Sequence, residues 1–142
     1  MLQRFVLSCA AFVLMTAAVA KDADDLQGEW KAVVIEKGGK KEGDAAVKTV
    51  TVVIKGDTFT LKSGDKVVEE VTVAVDPTKN PKHVTLTPVK GPRKGKAHLG
   101  IYAVENGGLK ICWNLPGKDR PTEFATTTAS GSFLIVLQPA KP

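Results

Sequence analysis

The chain has 142 residues, 43% hydrophobic, 6% aromatic and 25% charged, with 20 Lys and Arg against 15 Asp and Glu. That length suits one compact domain and excludes a second of ordinary size, and the charge fraction excludes wholesale disorder. Thirteen Gly and eight Pro without a period exclude collagen-like repeats and point to many turns.

Residues 1–20 read as a secretory leader. Met1 to Arg4 carries one positive charge, Phe5 to Ala18 is an uncharged apolar run, and Ala18-Val19-Ala20 is a small-x-small cleavage site before Lys21. Phe5 to Ala20 is shorter than the roughly 20 residues needed to cross a bilayer core. The expectation is therefore export to the periplasm or cell exterior, with residues 21–142 as a single domain and no transmembrane segment once the leader is gone. Cleavage leaves 19 basic against 15 acidic side chains. A balance of that size favours solubility and does not call for nucleic acid. Only Cys112 survives cleavage, so no internal disulfide can form. It is either buried, a free reactive thiol, or half of an intermolecular bond.

After one expected helical turn at Asp22 to Gln27, the pattern is of short strands with period two. The first runs from about Gly28 to Lys37. Val50, Val52 and Ile54 alternate with polar positions up to Gly56-Asp57, and Phe59 and Leu61 do so up to Ser63-Gly64-Asp65. Val67, Val71, Val73 and Val75 share the next face, which is expected to point inward. Val84 and Leu86, then His98 to Glu105, follow. Asn106-Gly107-Gly108 is a tight-hairpin signal leading to Leu109, Ile111 and Trp113. Ser132 to Gln138 closes the series with both faces apolar. Val, Ile and Thr dominate, as a pleated sheet favours. With no crossover helix, about eight sequentially linked strands predict an all-β, antiparallel up-and-down barrel, with a β-sandwich as the alternative.

Gly28-Glu29-Trp30 on the first strand resembles the G-x-W signature of lipocalin-type barrels. That resemblance implies a Trp plugging the closed end beneath a late basic residue, here Arg120. The chain also resembles an uncharacterised planctomycete family of small, mostly secreted domains. The similarity lies in Leu26-Gln27-Gly28-Glu29-Trp30, Asp76-Pro77-Thr78-Lys79-Asn80-Pro81-Lys82 and Gly100-Ile101-Tyr102, and also in Leu109-Lys110-Ile111-Cys112 and Arg120-Pro121-Thr122-Glu123-Phe124. It implies fold and export and supplies no catalytic residue.

No catalytic signature emerges. His83 and His98 are the only histidines and lie on different strands, expected to be exposed, without metal-ligand spacing. Ser63, Ser130 and Ser132 lie outside any Gly-x-Ser-x-Gly elbow. Nothing in the spacing joins Cys112 to a histidine. Glu69 and Glu70 are neighbours on a strand and so cannot pair as a carboxylate dyad. The chain is read as non-enzymatic, with no cofactor and no metal. Its most concrete expected role is to bind a small apolar or amphipathic molecule inside the barrel. Trp30, Phe59, Val73, Tyr102 and Trp113 are candidate wall residues, with Glu69 or Arg120 orienting a polar end. The alternative is a filled barrel whose basic loop, Lys90, Arg93, Lys94 and Lys96, contacts an anionic envelope component, with Lys79 and Lys82 nearby. No aromatics interleave with that loop, which argues against nucleic acid. A monomer is expected.

Overall fold

The computed structural model describes residues 22–140; the leader predicted over 1–20 lies outside them. Nine strands form one antiparallel sheet: β1 (Gly28–Lys37), β2 (Lys40–Lys41), β3 (Val50–Lys55), β4 (Thr58–Ser63), β5 (Lys66–Asp76), β6 (Lys82–Pro88), β7 (His98–Glu105), β8 (Gly108–Trp113) and β9 (Phe133–Pro139). β3 through β9 pair in sequence, and β1 pairs with both β3 and β9, which closes an eight-stranded barrel. The two-residue β2 pairs with the end of β1, outside the ring. The up-and-down barrel read from the sequence is the fold, and the sandwich alternative is not.

The strand bounds follow the turn chemistry. Asn106 and Gly107 both adopt positive φ (53° and 76°), as a two-residue hairpin of the right twist requires. Gly100 is needed for a different reason. A Cβ there would stand 2.7 Å from the Cys112 carbonyl oxygen and 3.0 Å from Trp113 Cβ, so β7 and β8 can approach this closely only without a side chain at 100.

Two bulges adjust the ring. One falls between Ala32 and Val34 in the pairing with β9, which spans Trp30–Lys37, while β3 takes the other edge of β1 through Gly28–Lys31. The other lies opposite Leu61/Lys62, where Leu61 pairs with Glu69 but Lys62 pairs with Val67. Val68 is the extra residue, and the slip corrects the expectation for Val67. Instead of sharing the inward face of Val71 and Val73, Val67 is 48% exposed, and Val68 is 55% exposed.

Besides the helical turn at 22–26, a second helix of five residues, Asp44–Lys48, buries Val47 against the core. A single turn has no readable period, so the sequence pattern does not disclose it.

Side chains from all the ring strands fill the half of the barrel where β3 ends. The central cluster includes Trp30, Val52, Ile54, Tyr102, Leu109 and Leu137. The helical turn at 22–26 seals this end. The Trp30 indole N–H donates to the Leu26 carbonyl at 2.9 Å. Gln27 ties down the β3–β4 turn, accepting from Gly56 N at 2.7 Å and donating to Gly56 O at 2.9 Å. Asp22 accepts from the buried Tyr102 hydroxyl at 2.6 Å and from Lys82 Nζ at 2.9 Å. Together these contacts lock the first residues described onto the barrel.

Candidate functional site: an open cavity at the other end

The opposite end is not filled by the protein's own side chains. A cavity of about 510 Å³ runs from a buried floor to an exposed rim. Phe59, Val71, Leu86 and Ile135, each 5% exposed or less, form the floor. Trp113 and Phe133, directly paired on β8 and β9, stack at 5.5 Å between centroids and build one wall. The exposed side chains of Lys37, Glu42 and Arg93 mark the rim, together with Lys62, Glu69 and Val68.

Alternation explains which residues arrive here. On β4 and β5, Phe59 faces Val71 and Leu61 faces Glu69, so the inward row ends in a carboxylate just before the bulge. Glu69 is kept near the surface, and its Oε2 lies 3.9 Å from Arg93 Nη2 of the adjoining β6–β7 loop. Lys37 and Glu42 pair at 3.7 Å on the facing side of the rim, and Lys37 Nζ also sits 5.8 Å from the Phe133 ring centre.

His98 is the polar group set deepest in this wall, at 5% exposure, contrary to the exposed position expected for it. As the first residue of β7 it starts the inward row that continues through Gly100 and Tyr102. Its Nδ1 lies 3.2 Å from the Asn114 carbonyl, which can only accept, so Nδ1 carries the hydrogen and Nε2 is left as an acceptor in the neutral ring. Burial lowers its pKa most. The Arg93 charge also lowers it, while the Asn114 bond and Glu69 oppose the shift.

Of the predicted wall and polar-end residues, the structure therefore brings Phe59, Trp113 and Glu69 to the cavity, and Arg93 from the basic loop. It does not bring Trp30, Val73, Tyr102 or Arg120. Trp30 and Tyr102 belong to the sealed end. Val73, opposite Leu86, packs deeper against the core. Arg120 lies on the outer wall, where its guanidinium donates to the Val84 and Gly100 carbonyls at 2.8 and 2.6 Å and reaches Thr85 Oγ1 at 3.5 Å. It caps backbone groups between β6 and β7 rather than sitting over Trp30. Lys79 and Lys82 are likewise not beside the basic loop. The whole of β6 separates them, and Lys82 is bonded to Asp22 at the sealed end. Sequence reasoning missed His98, Phe133, Leu86 and Lys37. The inward parity of His98 with Gly100 and Tyr102 was a signal that could have found the histidine.

Cys112 faces away from the cavity, beneath residues 114–132, which run along the outer wall. It is fully buried with Ile101 and Leu134, and Phe124 packs over them. Burial pushes its thiol pKa up, the reverse of what a nucleophile needs. Ser130 bonds Thr127 and Ser132, and Ser63 lies 3.4 Å from Thr49 Oγ1. Among the described residues, no group of three or more His, Cys, Asp or Glu side chains converges to hold a metal ion. Nor is any helix among them long and apolar enough to cross a membrane.

No family model, curated protein or solved structure matches the chain.

Proposed function

We propose that this protein is an exported, non-enzymatic binder of a small amphipathic molecule, held in the open half of the barrel. The observation that carries the reading is the cavity itself. At about 510 Å³ it falls within the roughly 300–1,000 Å³ typical of ligand pockets, with an apolar floor and a few polar groups confined to the rim and one wall. Its chemistry suits a molecule with an apolar tail and a polar head. The tail would lie against Phe59, Leu86 and Ile135, with the Trp113–Phe133 pair along its flank. The head would meet Arg93, Glu69 and the His98 acceptor nitrogen. The leader-like character of residues 1–20 supports export, and the G-x-W segment on β1 supports kinship with lipocalin-type carriers.

Uptake of a fluorescent fatty acid in vesicle-free buffer tests this reading. Excitation of Trp113 should transfer energy to the bound probe, and Leu61→Arg, which sets a charge into the apolar wall, should weaken uptake at least about tenfold. Lys55→Gln, at the sealed end, should leave uptake unchanged. No uptake by the folded protein, or equal uptake by Leu61→Arg, would refute the reading.

A further inference from the structure

Charge is divided between the two ends of the barrel. Segments 37–49, 62–70 and 89–97, which border the mouth, carry ten Lys and Arg against five Asp and Glu. Segments 22–31, 55–57, 76–82 and 105–110, at the sealed end, carry five against seven. Three of the five carboxylates at the mouth are already occupied, Glu42 by Lys37, Glu69 by Arg93 and Glu70 by Lys90. Lys94 and Lys96 are exposed on the β6–β7 loop, and Lys40 and Lys41 on β2.

The same end carries exposed apolar surface. Among the described residues Val67 and Val68 are the two most exposed of the large hydrophobics, and the bulge in β5 is what turns Val67 outward beside Val68. They follow Lys66 at the tip of the β4–β5 hairpin, and Val68 also lines the cavity. Cations on three separate segments around an apolar opening, with two valines at one edge, match a flat anionic surface with an apolar interior. The cations are densest on the β6–β7 loop, but a purely acidic polypeptide is the poorer match, because the exposed valines would then have nothing apolar to enter.

We infer that the mouth of the barrel docks on an anionic lipid bilayer. The lysines of the β6–β7 loop, β2 and the β4–β5 hairpin meet the headgroups, and Val67 and Val68 enter the interface. Each Lys or Arg near such a surface strengthens binding about fivefold, attenuated by salt. The docked orientation places the cavity opening against the acyl layer, so an amphipathic ligand would pass between bilayer and barrel without crossing water. Only this last step rests on the ligand-binding reading; docking itself needs the rim alone.

Co-sedimentation with phosphatidylcholine vesicles, with and without phosphatidylglycerol, tests the inference on purified protein whose N-terminus is fixed by mass spectrometry and shared by all variants. Binding should require phosphatidylglycerol and fall with salt. The triple variant Lys90→Gln/Lys94→Gln/Lys96→Gln should bind on the order of a hundredfold more weakly. Val67→Ser should weaken binding several-fold, and the sealed-end control Lys55→Gln/Lys79→Gln should bind like the parent. These positions are exposed, and circular dichroism verifies each variant's fold. Absence of binding to anionic vesicles, equal binding to neutral ones, or equal weakening by the sealed-end control would overturn the inference. So would salt-sensitive capture by an acidic polypeptide in place of the vesicles. Because fatty-acid uptake is measured without vesicles, failure of docking and failure of the cavity reading are separately visible.

Discussion

His98 shows how one residue couples the cavity to solution conditions. Its ring is buried in the wall, bonded through Nδ1 to Asn114 O, with Arg93 and Glu69 as the nearby charges. Burial holds its pKa below the ordinary value of about 6.5. The folded state therefore binds a proton less readily than the unfolded one. The stability associated with neutral His98 is complete above the unfolded pKa and is lost as pH falls through the folded one. Denaturant midpoints should drop between neutral and mildly acidic pH, and the drop should shrink in His98→Gln. An identical drop in that variant would assign it to other groups, among them His83, whose pKa is also lowered by burial.

At the scale of elements, the connection from β8 to β9 is a packed part of the protein rather than a free loop. Phe124 covers Ile101, Cys112 and Leu134 on the outer wall, and Lys110 Nζ stands 5.0 Å from the Phe124 ring centre. Arg120 binds β6 and β7, and Thr126 donates to Glu36 Oε1 at 2.6 Å while accepting from Gly39 N at 2.8 Å. The thiol should accordingly be inert to a disulfide reagent in the native protein. In Phe124→Ala, reaction should quicken by about tenfold or more at unchanged overall fold, because the cover opens locally without global unfolding. The same variant should lose about 3 kcal/mol or less of stability, since Phe124 is only half-buried.

Elements also show where sequence reading succeeds and where it stops. Strict alternation between Gly-bearing turns made nearly every strand legible, down to the Asn106-Gly107 hairpin. What alternation cannot reveal is a change of phase. The bulge opposite Leu61 reverses Val67, and no residue in Lys66-Val67-Val68-Glu69 announces it. Nor does period two say which end of an inward row stays open. Alternation therefore groups Phe59, Glu69 and Trp113 with Trp30 and Tyr102, which sit at the opposite end. The place of Arg120 depends on the course of residues 114–132, which have no period to follow.

For the whole molecule, closure joins the first long strand to the last, with β9 pairing along β1 on one side and β8 on the other. Those contacts span most of the chain, so folding should be slow for its size, in milliseconds to seconds. Deleting residues from Phe133 onward would leave β1 and β8 with unpaired edges and expose the Ile111 side of the core. Such a truncation should yield aggregated protein without dispersed amide resonances. A soluble, well-dispersed spectrum would show that the remaining strands hold without the seam.

The amide of Ala140 donates to Glu29 O at 2.9 Å, and Asp22 is bonded to Lys82 and Tyr102, so both ends of the described residues lie at the pole that the helical turn at 22–26 seals. Anything attached before Asp22 or beyond Ala140, whether a tag, a tether or a fused module, is thus held on the pole opposite the opening. Immobilised by either end, the molecule would present its entrance outward to whatever flows past.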